Sequence, residues 1–290
     1  MIDIKNGRYW QIGIELVSGC TPCSPGCDHC WSAAQAQRFG GSKLIDEEGC
    51  PHIVENGKFT GEIVTHPDRL KRFNTRKPKV FSIWNDLFHE AVPDNFIHEV
   101  YFDMMRFSKN TYLILTKRPQ HVVDNYKNVS YLIDPQNHTW HGLTVCNQQE
   151  WDEKKDAFLS IPGKKFISHE PALEPILYGD GLTLIDCLIS GGETGAGARP
   201  SHSDTFRKDR DQCAFYGVKF LFKQWGEFAP ARFEKAEGCI NHTNGHYWYE
   251  FDPDCGNMMK KLGRNKSGRL LDGRTHDDLP WHCAQPPDEA

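Results

Sequence analysis

Short apolar, β-rich runs alternate along this chain with segments of helical character. Seven runs each end in polar residues or glycine, and they cover residues 12–17, 79–84, 112–115, 140–145, 166–168, 184–190 and 218–222. Because strands that alternate with helices pair in parallel through right-handed crossovers, this pattern predicts an α/β fold. Six or seven such units in about 220 residues favour a full or partial (β/α) barrel, with a doubly wound open sheet as the alternative.

Three segments between these runs have helical character. Residues 95–107 follow Pro93 and carry apolar side chains at helical spacing, which predicts a helix with one buried face. Residues 148–159 and 204–216 are the other two predicted helices, and Gly217 is a typical residue to end the last one.

The alternation stops near residue 229, where the chain becomes rich in Gly, Asn, His and aromatic residues. We therefore expect two parts, a (β/α) barrel core over residues 1–228 and a C-terminal extension packed on it over residues 229–290.

The composition excludes several classes of protein. Hydrophobic residues make up 38% of the 290 residues, which is enough for a core and excludes a mainly disordered chain. No apolar run reaches the roughly 20 residues of a membrane span. The first residues have no apolar signal-peptide core, so we expect a cytoplasmic protein. A net charge of −5 disfavours a protein that coats nucleic acid by bulk charge and is compatible with a local basic patch.

Four of the eleven cysteines fall within one loop after the first predicted strand, at Cys20, Cys23, Cys27 and Cys30. Thiols in a chain without an export signal stay reduced, so their clustering indicates a metal or catalysis. The spacing Cys23-x3-Cys27-x2-Cys30 allows three thiolates to hold one iron–sulfur cluster, which leaves one iron open. Four other interpretations of the loop remain possible. Three of them are a structural zinc site, a four-thiolate electron-transfer cluster and a thioredoxin-like pair formed by Cys27 and Cys30. The fourth is a set of four buried thiols that bind no metal.

The cysteine loop resembles that of the radical S-adenosylmethionine (SAM) enzymes, which carry this spacing after the first strand of a (β/α) barrel. Further segments are similar to a divergent branch carried by bacteriophages and prophages and largely described as of unknown function. The segments are Ser-Pro-Gly-Cys-Asp-His-Cys-Trp (24–31), Asn-Asp-Leu-Phe-His-Glu (85–90), Leu-Thr-Lys-Arg-Pro (115–119), Gly-Gly-Glu-Thr-Gly-Ala-Gly-Ala-Arg-Pro (191–200), Phe-Lys-Gln-Trp-Gly-Glu (222–227) and Gly-Arg-Leu-Leu-Asp-Gly-Arg (268–274).

The identity of the third cluster ligand differs between the two resemblances. The usual spacing of the superfamily favours Cys23, whereas similarity to the phage branch favours Cys20, with an aliphatic residue where Cys23 stands. Cys27 and Cys30 are ligands in both versions. His29 stands where the wider superfamily usually has an aromatic residue.

The resemblance implies a [4Fe–4S] cluster whose open iron chelates the amino and carboxylate groups of SAM. One electron, from a reductant such as flavodoxin or ferredoxin, then splits SAM into methionine and a 5′-deoxyadenosyl radical that abstracts hydrogen from carbon. The implied substrate is a nucleotide or nucleic-acid base in a bacterial host cytoplasm, with DNA base hypermodification or rearrangement favoured. The alternatives are a radical SAM base-repair lyase, a radical SAM enzyme acting on a small metabolite or peptide, and a non-catalytic metal-binding interaction protein.

Ligands of parallel barrels bind at the carboxyl ends of the strands, and these ends are polar in this chain. We expect Asn85 and Asp86 to hold the SAM amino group and Asn147 to reach its ribose. A carboxylate or phosphate is expected at Thr116, Lys117 and Arg118. Further candidates for cofactor binding are His169, Glu170, Gly191, Gly192 and Glu193, the glycines because they let a ligand approach the backbone. The candidate catalytic residues are Lys117, Arg118, Glu193 and Lys223.

Overall fold

The computed structural model describes residues 7–39, 52–129, 138–230, 248–252 and 257–282. Its main sheet has seven parallel strands in the order of the chain. They are β1 (Ile12–Glu15), β2 (Val80–Trp84), β3 (Thr111–Thr116), β4 (Thr139–Val145), β5 (Lys164–His169), β6 (Cys187–Gly191) and β7 (Lys219–Gln224). A doubly wound sheet would reverse its strand order at a switch point. This sheet has no reversal, which confirms the partial (β/α) barrel.

Five helices each follow a strand or the loop after it. They are α1 (Trp31–Arg38), α2 (Asp94–Arg106), α3 (Pro119–Val129), α4 (Gln148–Ser160) and α5 (Ser203–Tyr216). Helices α2 to α5 bury apolar side chains against the outer face of the sheet, whereas α1 packs on the short strands Val54–Glu55 and Lys58–Phe59. The three helices predicted from the sequence are α2, α4 and α5. Gly217 ends α5 in the left-handed conformation, as the sequence indicated.

Two features of the secondary structure differ from the sequence predictions. Helix α3 was not predicted, although a proline at the first helical position is a recognised start signal, and Pro119 occupies that position. The predicted strand at 184–190 begins later, because Gly179–Leu184 forms a 3-10 turn and β6 starts at Cys187.

Side chains along each strand alternate between the helix-covered face and the barrel interior. At the amino-terminal end of the barrel the interior is filled by large side chains, which we call the plug. The plug includes Tyr9, Leu113, Trp140, Phe166, Ile189, Leu221 and Trp281. A Cβ added at Gly142 would lie 2.2 Å from the Phe166 ring, so this strand position needs glycine to admit that ring. Full burial of each such side chain stabilises the fold by about 1.5–3 kcal/mol.

The remaining strands are short and lie outside the main sheet. Val17–Ser18 pairs with Val64–Thr65, and Val54–Glu55 pairs with Lys58–Phe59. A three-stranded antiparallel sheet has the order Phe228–Pro230, Asn257–Lys261, Trp248–Asp252.

The C-terminal part of the chain contacts the barrel at several points. The Trp281 indole donates a hydrogen bond to the Tyr9 carbonyl at 3.0 Å, and the Phe222 amide donates one to the His276 carbonyl at 3.0 Å. The short helix α6 (Arg264–Ser267) precedes both of these C-terminal contact residues in sequence. Residues 231–247, 253–256 and 283–290 lie outside the described residues, so the division at residue 228 stays a prediction. Among the described residues, no helix is long and apolar enough to cross a membrane.

Candidate functional site

A cavity of about 610 Å³ opens at the carboxyl-terminal end of the barrel. Its size falls in the range of ligand and cofactor sites in proteins. Several inward-facing strand residues at this end are small or polar, and they leave space where the plug fills the other end. They include Gly13, Ser82, Thr144, Ser168 and Lys223. All four cysteines of the loop line the same cavity.

The cysteine loop lies directly on the ends of the strands. The Ser24 side chain accepts a hydrogen bond from the Gly26 amide and caps a short 3-10 turn, Pro25–Cys27. A Cβ added at Gly26 would lie 2.4 Å from the Cys146 sulfur and 3.1 Å from the Lys117 ammonium nitrogen. The loop therefore packs so closely on the segments after β3 and β4 that only glycine fits at this position.

Two cations that follow β3 hold one side of the cysteine loop. Arg118 donates to the Thr21 carbonyl at 3.0 Å, and its other nitrogens donate to Asp86 at 2.9 Å and to Glu90 at 2.8 Å. The Lys117 ammonium donates to the Ser24 hydroxyl at 2.5 Å and lies 3.5 Å from the Cys27 sulfur. Because the Arg118 side chain is buried and already paired, it is fixed by the protein before any ligand arrives.

Arg199 holds the other side of the same loop. It donates to the Pro25 carbonyl at 2.8 Å and pairs with Asp28 at 3.3 Å. Its guanidinium also binds Glu193 at 2.6 Å, and the buried Glu193 carboxylate is hydrogen-bonded to the His29 ring at 3.3 Å. Burial is the largest single influence on the pKa of Glu193 and would raise it. The hydrogen bonds and charge of Arg199, with the hydrogen bond to His29, together outweigh burial, so the pKa is lowered. Glu193 thus remains ionised and keeps Arg199 over the loop.

The thiols differ in how easily they ionise. The hydrogen bond that Cys27 accepts from Cys23 lowers the pKa of Cys27, and the Lys117 ammonium adds to this effect against burial. Burial raises the pKa of Cys20 to about 11 and also raises the pKa of Cys30. The thiolate is the form that binds metals, so Cys27 is the sulfur best prepared to act as a ligand.

The cysteine side chains of the loop are not arranged in a metal-binding geometry in this structure. Within the part of the chain that the structure describes, no three His, Cys, Asp or Glu side chains converge on a common metal position. Cys23 and Cys27 instead hydrogen-bond with each other. The donor set is nevertheless a group of thiols on one short loop, and thiolates are the ligands of iron–sulfur clusters.

The cavity brings together most of the residues that the sequence predicted for the site. Its lining includes Cys20, Cys23, Cys27, Cys30, Asn85, Asp86, Thr116, Lys117, Arg118, Glu170, Gly192, Glu193 and Lys223.

Three predicted residues, Asn147, His169 and Gly191, do not line this cavity. The Asn147 side chain instead caps α4 by accepting a hydrogen bond from the Glu150 amide. His169 is fully buried and its ring is hydrogen-bonded to Asp209 at 2.8 Å on the helix-covered face. At Gly191, the last residue of β6, a Cβ would lie 2.7 Å from Glu170, so this glycine makes room for a cavity side chain.

Asn85 and Asp86 line the cavity, but their polar atoms already have protein partners. Asn85 has a positive φ of 63° and bonds to Glu15, to the Val17 carbonyl and to Ser32. Asp86 accepts hydrogen bonds from the Thr116 hydroxyl at 2.7 Å and from Arg118. Both residues therefore position their neighbours, and their predicted contact with the SAM amino group stays a prediction.

Glu170 and Lys223 form an ion pair that faces the cavity. The Lys223 ammonium lies 2.9 Å from the Glu170 carboxylate and 5.5 Å from the ring centres of Tyr9 and Trp10. The Ser168 hydroxyl donates to the same carboxylate at 3.4 Å. Both charged side chains are partly exposed to the cavity, so they can form hydrogen bonds with a bound ligand.

Sequence reasoning missed several residues of the site. Arg199 lies in a segment singled out for its resemblance, yet its pairing with residues about 170 positions away leaves no local signal. Cys146 directly follows the predicted strand at 140–145. Its position at the carboxyl end of that strand was the signal that could have placed it near the site. Trp10 precedes the first recognised strand and Trp84 ends the second, and both line the cavity without having been assigned a role.

Comparison with known proteins identifies a family that covers most of the chain. A family model described as a protein of unknown function, DUF5131, matches residues 8–280. No curated protein and no solved structure matches the chain.

Proposed function

The chain belongs to the DUF5131 family, and we propose that it is a radical SAM enzyme that acts on a nucleotide or a nucleic-acid base. One observation carries this proposal. The loop that holds Cys23, Cys27 and Cys30 lies at the carboxyl-terminal end of a partial (β/α) barrel and lines the same cavity as the polar strand ends. That edge is where enzymes of parallel barrel folds bind their ligands.

The loop fits a [4Fe–4S] cluster by the chemistry of its donors. Cys27 and Cys30 would be two of the ligands, and either Cys23 or Cys20 would be the third. With three protein ligands, one iron is left for SAM. When bound, the cluster would supply the electron that splits SAM into methionine and a 5′-deoxyadenosyl radical, with flavodoxin or ferredoxin as the type of reductant.

The charged residues around the loop would hold it in place and offset negative charge. Lys117, Arg118 and Arg199 bind three successive stretches of the loop, at Ser24, at Thr21 and at Pro25. Thiolates and sulfides add negative charge at this position, and three fixed cations beside them favour that state. We therefore assign Arg118 and Arg199 to positioning the loop.

The barrel interior would keep water away from a reactive intermediate. The plug closes the amino-terminal end beneath the cavity with fully or nearly fully buried aromatic rings, among them Phe166 and Trp281. Ligand access is then limited to the carboxyl-terminal side, and exclusion of water limits side reactions there. Glu170 and Lys223 are two charged groups that face the cavity and can contact a substrate.

The test is reductive cleavage of SAM. Protein reconstituted with iron and sulfide without oxygen would be incubated with SAM and dithionite, and 5′-deoxyadenosine and methionine would be measured by chromatography. We expect both products in equal amounts from the natural chain and none from Cys27→Ser. Cys213→Ser, which changes a buried thiol of α5 far from the loop in sequence, is the matched control. Absence of 5′-deoxyadenosine from protein that carries a full complement of iron would contradict the proposal.

A further inference from the structure

The residues before β1 close the gap between the two edge strands of the barrel. A Cβ added at Gly7 would lie 2.2 Å from the Lys223 carbonyl oxygen of β7, so the two segments are in direct contact. We call the cavity wall formed here the seam. It consists of Arg8, Tyr9, Trp10, Lys223, Gln224 and Arg264.

A wall of tryptophans continues from the seam across β1 and β2. The indole nitrogens of Trp10 and Trp84 lie 3.5 Å and 2.9 Å from the position that a Cβ at Gly13 would occupy. The Trp31 ring lies 5.0 Å from the Trp84 ring and is 54% exposed. A large exposed aromatic surface beside a cavity is typical of a binding site, and every nucleobase has a flat face that stacks on such rings.

The charges of the cavity favour an anionic ligand at the seam. Each lining carboxylate is paired with a cation, in the pairs Asp86–Arg118, Glu170–Lys223 and Glu193–Arg199. Within the described residues, Arg8 and Arg264 form no ion pair with a carboxylate. Arg8 donates to the Gln11 carbonyl and Arg264 to the Gln224 side chain, and both keep further guanidinium donors. Arginine binds phosphate through its paired donors, so the seam offers a phosphate site beside the aromatic wall.

We propose that the seam and the tryptophan wall bind a nucleoside phosphate, with its base stacked on the wall and its phosphate at Arg8 and Arg264. The Glu170–Lys223 pair presents an acceptor and a donor to the edge of that base. This assignment rests on the proposed function only in naming the bound nucleotide as the substrate. Recognition by stacking needs an exposed base face, so the nucleotide is free, single-stranded or extruded from a duplex.

Equilibrium binding to four probes tests the assignment. The probes are thymidine 5′-monophosphate, deoxyribose 5-phosphate, a fluorescein-labelled eight-nucleotide single strand and the same strand as a duplex. We expect the thymidine nucleotide to bind at least about tenfold more tightly than the sugar phosphate, since stacking supplies the difference. A single strand that binds more tightly than the mononucleotide would identify nucleic acid as the source, and the reverse would identify the free nucleotide. Equal affinity for nucleotide and sugar phosphate would overturn the assignment.

Substitutions separate stacking from charge. Trp10→Leu and Trp31→Leu should each weaken nucleotide binding by about tenfold, and Trp31 is exposed enough that its loss leaves the fold intact. Arg264→Gln should weaken nucleotide binding and reduce its dependence on salt concentration. The matched controls are Phe215→Leu and Lys208→Gln, two exposed positions on α5, which should change nothing. Unchanged binding by both tryptophan variants, with the fold verified by circular dichroism, would overturn the assignment.

Two further conditions keep this inference distinct from the proposed function. Binding is measured on the chain with and without its iron, because the seam residues are not cluster ligands. Nucleotide binding by protein that never cleaves SAM would support the inference and contradict the proposed function. Saturating SAM should leave nucleotide binding in place, whereas full competition would assign the wall to the adenine of SAM and overturn the inference.

Discussion

The two ends of the barrel interior are built from the same strands and have opposite properties. At the amino-terminal end Trp140 and Phe166 fill the interior together with Trp281. Further along the same two strands Thr144 and Ser168 face inward and leave an open cavity. The difference comes from side-chain size at inward positions, because the backbone pairing continues unchanged along both strands. Stability and binding are therefore assigned to opposite ends of one sheet.

The largest expected effect is at the open end, on the cysteine loop. Cys27→Ser or Cys30→Ser should abolish iron binding, because the proposed cluster uses both residues as ligands whichever cysteine is the third. Comparing Cys20→Ser with Cys23→Ser identifies that third ligand, since one variant should lose most of its iron and the other should keep it. Iron and sulfide content after anaerobic reconstitution is the measurement. Full iron in Cys27→Ser would show that the loop does not hold the cluster.

The next effect is on stability at the closed end. Phe166→Ala removes a fully buried ring from the plug and should lower the free energy of unfolding by about 3–5 kcal/mol. Leu177→Ala, at a position that is 73% exposed, should cost under about 0.5 kcal/mol and is the control. Urea denaturation followed by circular dichroism gives both values. A loss below about 1 kcal/mol in Phe166→Ala would mean that the plug does not support the barrel.

A third prediction concerns the effect of pH on the buried side chain of His141. Burial lowers the pKa of His141 to about 4, and its ring is hydrogen-bonded to the Tyr101 hydroxyl. Between pH 6.5 and 4 the unfolded chain binds a proton at His141 that the folded chain does not, so stability falls as the solution becomes more acidic. The expected loss over this window is about 3 kcal/mol.

His141→Gln removes this titration and keeps a partner for Tyr101. The variant should lose less stability than the natural chain as the pH falls from 6.5 to 4, measured by urea denaturation at a series of pH values. Parallel loss in the two proteins would show that His141 titrates normally in the folded state.

The smallest expected effect on stability comes from filling the open end. Thr144→Leu adds volume at a half-buried side chain that lines the cavity, so the melting temperature should change little. Binding of SAM or of a nucleotide should weaken by at least about tenfold, since the added side chain occupies ligand space. Isothermal titration calorimetry and thermal denaturation give the two readouts. A large drop in melting temperature with binding unchanged would reverse the roles assigned to the two ends.

Much of the fold could be predicted from the sequence, because each strand run and most helices carry local periodic patterns. The position of the site at the carboxyl ends of the strands follows from that fold. Period-two alternation would also have separated His169 from Glu170, since neighbouring strand residues point to opposite faces. The prediction assigned both to the site, whereas only Glu170 lines the cavity.

The contacts that hold the cysteine loop could not be predicted in the same way. Arg199 binds the Pro25 carbonyl, although 174 residues separate the two in sequence. This contact forms only when the barrel brings its first and last strands close together. Likewise, nothing local indicates that the Asp86 carboxylate accepts four hydrogen bonds, from the Thr116 hydroxyl, the Arg118 guanidinium and the amides of Phe88 and Lys117, which fill its acceptor positions. Hydrogen-bond saturation depends on the three-dimensional neighbours of a residue, and its sequence position carries no record of them.

The most direct test of the central claim is the electron paramagnetic resonance spectrum of the reduced protein, recorded with and without SAM. The sample would be purified and reconstituted without oxygen, and its iron and sulfide content would be measured first. We predict roughly four irons per chain and a signal that shifts when SAM is added, as expected for an open iron that binds SAM. Stoichiometric zinc, or an iron signal that does not respond to SAM, would rule out a SAM-binding cluster and favour a metal-binding interaction protein.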